Sequence, residues 1–236
     1  GCGNRAGFDN GLPTAEHYAT VSGGRSNTAG ANYSTVGGGN NNAASGSFDT
    51  VGGGNSNVAN GIYATVGGGG PLSGFYCLGG PNHRQPCGKC VDCLFGICGT
   101  NADCQSYGCP PPDDTCGAHP STCGPPGVCT ETPGNAASAT GATVAGGLGN
   151  LAAGDSATIS GGRFNLAEGP NSTIGGGNSN VASGPDSTVG GGSNNSANGN
   201  YFATVGGGAF NNASGPGSTV GGGGSNVAGK VCFGGG

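Results

Sequence analysis

The chain contains no methionine and no tryptophan, and only 7% of its 236 residues are charged. Eight Phe and six Tyr are its whole stock of aromatics. Large apolar side chains are too few to fill one globular core, which excludes an ordinary globular enzyme domain. Six Lys and Arg against eleven Asp and Glu give a net charge of −5. That balance leaves no basic patch for nucleic acid or anionic lipid. No apolar run has the length of a membrane-spanning helix and no signal peptide is visible, so membrane insertion is not expected. The missing methionines include the initiator, from which we expect an upstream segment to be removed. Glycine is abundant instead, with 59 residues, and a chain of this composition would read as disordered if its glycines were scattered.

They are not scattered. The run Thr-Val-Gly-Gly-Gly at 35–39 has nine relatives, and their branched residues are Val21, Val36, Val51, Val66, Val144, Ile159, Ile174, Val189, Val205 and Val220. These markers lie 15 residues apart, save for a step of 16 between Val189 and Val205 and one of 78 between Val66 and Val144. The long step is one period with 63 residues added. Every copy has Thr one position before the marker and Gly two and three positions after it. Nine have Asn at plus six (Asn27, Asn42, Asn57, Asn150, Asn165, Asn180, Asn195, Asn211, Asn226) and Ala at plus eight. In the copy that opens into the long step the ruler meets Leu72 and Gly74 instead.

A fixed period far shorter than a domain marks one supersecondary unit repeated. Fifteen residues suit one rung of a narrow solenoid. The Ala/Ser-Thr-Val piece alternates as a half-buried strand does, and the Gly pair and Asn-x-Ala-x-Gly supply turns. We therefore expect an all-β fold: a parallel β-solenoid of about ten rungs, two strands and two turns each, with strands about 4.8 Å apart and a rod about 48 Å long. Stacked rungs turn each position into a file. The Asn file is either an amide ladder or a row of turn residues tolerant of positive φ. Both readings fit the same fold.

The rhythm of Ala203 to Gly215, Ala-Thr-Val-Gly-Gly-Gly followed by Asn-x-Ala-Ser-Gly, resembles the head repeats of YadA-type trimeric autotransporter adhesins and similar phage-tail-fibre-like surface repeats. The resemblance covers roughly residues 17–74 and 138–229. It implies a left-handed β-roll, trimeric association, and display outside the cell for attachment. The chain departs from that family in having no heptad stalk, no barrel strands, and a cysteine-rich insertion.

That insertion is placed at 71–137, between solenoid parts 1–70 and 138–236, with 1–16 as a partial rung in which Asn4 and Ala6 echo Asn42 and Ala44. It holds Cys77, Cys87, Cys90, Cys93, Cys98, Cys104, Cys109, Cys116, Cys123 and Cys129. An even count in a small, core-poor segment reads as a disulfide-rich, mostly irregular module whose pairing is open. Cys87-x-x-Cys90-x-x-Cys93 has metal-like spacing, but no second Cys-x-x-Cys completes a site, and no metal or cofactor is expected.

Cys2 and Cys232 stand at opposite ends of the rod, too far apart to bridge within one subunit. Counting from Asn226 to the C-terminus and on to a neighbour's Asn4 gives 14 residues, one short of the period. The two ends read as halves of one rung, and Cys2, Asn4, Ala6, Val231, Cys232 and Phe233 become expected inter-subunit contacts. Each rung also buries little more than one branched residue, so association of the protein with itself is expected.

Catalytic motifs are absent. His17, His83 and His119 have no triad or metal spacing, and the Gly triplets lack the Lys of a phosphate loop. The chain is read as a non-enzymatic extracellular or cell-surface protein: a structural fibre subunit, or alternatively a trimeric adhesin head with an unidentified surface or matrix ligand. Two further files are visible. Thr precedes every marker, which suits β-structure and, more remotely, ice binding. Tyr18, Tyr33, Phe48 and Tyr63 form a four-rung aromatic file, read as a packing or interface feature ahead of a ligand-binding stripe.

Overall fold

The computed structural model describes residues 1–7, 18–70 and 134–229, together with the strand backbones Phe75–Leu78, Pro86–Cys87 and Val128–Glu131. The chain divides into two compact units, Gly1–Pro71 with Pro133–Gly236, and Leu72–Thr132.

The first unit is a parallel β-solenoid of about ten turns, with no helix among the described residues. Its two-residue strands stack into two sheets. One has ten Thr-Val or Thr-Ile strands, from Thr20–Val21 to Thr219–Val220; the other has eleven, from Arg5–Ala6 to Val227–Ala228. Every pairing is parallel and joins equivalent positions, as in Val36↔Val51 and Ala44↔Ala59. The alternation of the motif explains the strands: Thr faces out, and the marker Val or Ile, like the Ala at plus eight, faces in and is fully buried in the interior rungs.

A third column runs beside these sheets, which two strands and two turns per rung did not foresee. The residue at plus four forms a single bridge from rung to rung, for instance Arg163↔Asn178 and Asn178↔Ser193. It lies between two left-handed positions. The Gly at plus three has φ near +90°, as at Gly177 (+92°), and a Cβ there would run into the Gly192 carbonyl oxygen, so only glycine fits. The residue at plus five also has positive φ, as at Ser56 (56°) and Ser179 (55°).

The core is correspondingly thin. Per rung it consists of the marker, the plus-eight Ala, the plus-six Asn and a small residue two before the marker, such as Ser34, Ala64 or Ala157. Asp49 takes that last place once, buried, with its carboxylate accepting from the Gly46 N–H (2.7 Å) and the Ala64 N–H (2.9 Å).

The solenoid passes the insertion without a missing strand. Ala136 pairs with Val58 on one side and Leu151 on the other, and Val144 pairs with Val66. The rung that the ruler continued through Leu72 and Gly74 is closed by Asn135 and Ala137, which the sequence reading left inside the insertion. In the second unit the described strands form an antiparallel sheet with Phe75–Leu78 in the middle and Cys129 opposite Cys77. Cys90, Cys93, Cys98, Cys104, Cys109, Cys116 and Cys123, and with them the expected disulfide pattern, lie outside the described residues.

Candidate assembly interface

The Asn file is an amide ladder of eleven members. The nine read from the ruler are joined by Asn4 at one end and by Asn135 in the gap. Asn135 is found by counting one period back from Asn150 rather than forward from Asn57.

Asn165 shows the pattern. Its Nδ2 donates to the carbonyls of Gly161 (2.9 Å) and Gly177 (3.1 Å) and approaches Asn150 Oδ1 (3.1 Å), while its Oδ1 accepts the backbone N–H of Asn180 (3.0 Å). One side chain therefore ties three successive rungs. The positive-φ alternative falls to the neighbouring residue: it is Ser179, not Asn180, that adopts φ of 55°. Asn supplies two donor hydrogens and an acceptor on a short stem, whereas an ionised Asp has no donor and Ser has only one.

A ladder of this polarity has two different ends. Each interior Asn gives its backbone N–H to the Oδ1 before it and offers its own Oδ1 to the N–H after it, as in the run Asn150, Asn165, Asn180. Among the described residues, nothing accepts the N–H of Asn4 and nothing donates to the Oδ1 of Asn226. The backbone repeats this asymmetry. Arg5 N–H donates to the Asn27 carbonyl and Gly7 N–H to the Ala29 carbonyl, both at 2.8 Å. The equivalent N–H groups of Val227 and Gly229 face past the last described rung.

The core is open at the same places. Interior members of the Ala file are fully buried, whereas Ala6 is exposed and Ala228 half-buried. Val21, which packs against the core, is half-buried. Cys2 lies in the bridge column of the N-terminal edge as an exposed free thiol, its carbonyl accepting from Ser26 N–H at 2.9 Å. Val231, Cys232 and Phe233 lie outside the described residues, as do His17, His83 and His119.

The two side-chain files are also in place. The Thr file stands on the outer surface of the ten-stranded sheet, and the positions just after the markers hold Gly, Ser or Ala, so no second Thr file runs beside it. Tyr18, Tyr33, Phe48 and Tyr63 are stacked ring on ring, with centroids 5.0, 4.9 and 4.7 Å apart, and each is 42–59% exposed. Tyr33, Phe48 and Tyr63 hold this stack from left-handed backbone, at φ of 59–64°. Stacking of this kind contributes about 0.5–1.5 kcal/mol per pair, which offsets part of the cost of about 1–2 kcal/mol for each non-glycine residue there. Because the faces are spent on one another, what the stripe offers outward is ring edges.

Among the described residues no group of His, Cys, Asp and Glu could hold a metal ion, and no helix is long and apolar enough to cross a membrane. No protein-family model matches the chain, and no curated protein matches it in sequence.

Proposed function

We propose that the protein is a non-enzymatic structural subunit whose rods stack end to end into an extracellular fibre. The observation that carries this reading is the complementarity of the two edges. Among the described residues, one presents an Asn4 N–H that nothing accepts, and the other an Asn226 Oδ1 to which nothing donates, on strands of the same sense.

Placing Arg5–Ala6 of one copy on Val227–Ala228 of another continues every bond type of the interior. Asn4 N–H donates to Asn226 Oδ1, Val227 N–H to the Asn4 carbonyl and Gly229 N–H to the Ala6 carbonyl. Open strand edges are templates for further strands, and solenoids that remain single carry polar or irregular caps. Among the described residues the edges leave Ala6 and Val227 exposed and Val21 half-buried. A disulfide between Cys2 and Cys232 of a neighbouring copy would lock such a joint.

The test is electron microscopy of the purified chain beside a Val227→Pro variant. In the interior the equivalent N–H serves only the next rung, as Asn212 N–H serves the Asn226 carbonyl, so proline at 227 removes no bond within the rod. Fibres from the parent chain and single rods from the variant support the reading. Single rods from both, whatever the redox state, would overturn it and favour a self-contained adhesin head.

A further inference from the structure

We infer that Tyr18 and Tyr33 form an oxidative cross-linking site, at which a one-electron oxidant joins two neighbouring rungs through a dityrosine bond. The inference is independent of the fibre reading.

Composition sets the first condition. With no methionine and no tryptophan anywhere in the chain, the side chains that lose an electron readily are its tyrosines and cysteines. Geometry sets the second. Four tyrosines lie in the described solenoid: Tyr18, Tyr33, Tyr63 and Tyr201. Tyr18 and Tyr33 are stacked on each other, with centroids 5.0 Å apart and ring planes inclined by 22°. The other face of Tyr33 is covered by Phe48, and Tyr63 meets that same Phe48. Tyr201 lies beside Phe202, at 6.4 Å. Phenylalanine forms no phenoxyl radical. Of these four tyrosines, therefore, one adjacent pair is able to couple.

Both rings are about half exposed, so a small oxidant reaches them without unfolding the rod. Hydrogen peroxide acting through a haem peroxidase supplies the chemistry. Each phenol gives up one electron and one proton, and the two radicals join through their ortho carbons. Each of those carbons then releases its hydrogen to the phenolic oxygen, restoring both rings. The peroxide is reduced to two waters, so two tyrosines and one peroxide yield one cross-link. Holding the partners in contact replaces a diffusional encounter with an intramolecular one, the condition that raises coupling rates most. The bond ties the first Thr-Val rung, at an edge of its sheet, to the rung behind it.

The experiment treats the full chain, with Cys2 alkylated, with peroxidase and hydrogen peroxide, then reads dityrosine fluorescence and maps peptides by mass spectrometry. The expected product is a monomer lighter by two hydrogens, containing one linked peptide pair that carries Tyr18 and Tyr33. Tyr33→Phe keeps a ring in the stack, as Phe48 does one rung on, and should abolish that product. Tyr63→Phe should leave its yield unchanged. Circular dichroism of each variant establishes that the solenoid is intact. Cross-links spread among Tyr63, Tyr201 and other chains, or an undiminished yield from Tyr33→Phe, would overturn the assignment.

Discussion

Replacing Asn165 with alanine removes more than one hydrogen bond, because its amide serves three rungs at once. The side chain is fully buried. Its loss takes the donor from the Gly161 and Gly177 carbonyls and the acceptor from the Asn180 N–H, contacts of 2.9, 3.1 and 3.0 Å. A net contribution of about 1 kcal/mol per bond, plus the cost of leaving these groups unpaired in a dry interior, gives about 3–5 kcal/mol. Asn226→Ala removes contacts to the Gly222 carbonyl and Asn211 Oδ1 at an exposed edge, where water replaces them, and should cost under about 1 kcal/mol. Asn165→Asp separates shape from hydrogen bonding. A carboxylate there faces two carbonyl oxygens it cannot donate to, so its pKa rises, and the variant should regain stability as pH falls and the acid protonates. Thermal unfolding by circular dichroism ranks the variants, and amide hydrogen exchange locates the damage, since the Asn180 N–H should exchange faster in Asn165→Ala. Equal losses at 165 and 226, or an unchanged Asn180 amide, would refute the ladder as a source of stability.

Three further outcomes are expected. Burial holds the Asp49 carboxyl above its ordinary pKa despite the two N–H groups it accepts. Its stabilising effect is therefore complete below the ordinary carboxylate range and is lost as pH rises through the raised value, and Asp49→Ser, copying Ser34, should flatten that part of a melting-temperature profile against pH. Ser172 and Ser187 bury hydroxyls with no partner in the file where Ala64, Ala157 and Ala203 also sit, so Ser172→Ala and Ser187→Ala should each raise stability by about 1 kcal/mol in denaturant titrations. Gly177→Ala meets both a φ of +92° and the Gly192 backbone and should cost about 3 kcal/mol or more, whereas Gly207→Ala, with open space around its Cβ, should cost under about 1 kcal/mol.

Much of the solenoid was readable because its period leaves little to tertiary context. A file of Val markers at constant spacing has one way to be buried in every rung, and the observed pairing of Val36 with Val51 and Val51 with Val66 is that way. What stayed hidden follows from the same logic. The single-residue bridge column involves residues as different as Arg25, Leu148 and Ala209, because a bridge needs only backbone, and a pattern of side chains cannot announce it. Asn135 is hidden from a count forward from Asn57, because the insertion breaks the register on that side, and lies one period before Asn150. The choice between ladder and turn residue for Asn was open in sequence because amide geometry, not residue type, decides it; the left-handed position next door, held by Ser, Asn, Gly or Phe, shows how little sequence it demands.

The ladder also bears on why the two edges should attract each other. In a globular domain the bonds that hold the core are used up inside it. In this solenoid every rung is held by the bonds it makes to the next, so the proposed joint between rods would be built from the same contacts as the interior of the rod. Asn211 binds Asn226 through a backbone N–H at 3.0 Å and an amide at 3.1 Å, and that pair of contacts is what Asn4 of a second copy would find at the Oδ1 of Asn226. Stability within a rod and affinity at a joint then draw on the same kinds of contact at different places along the ladder, and a local change acts only where it is made. An interior change such as Asn165→Ala should weaken its own rod while leaving the joint intact, and Val227→Pro should do the reverse. If the joint is a ladder step, melting temperature and fibre length will separate in those two variants; if both quantities fall together in both, rods associate through some other surface.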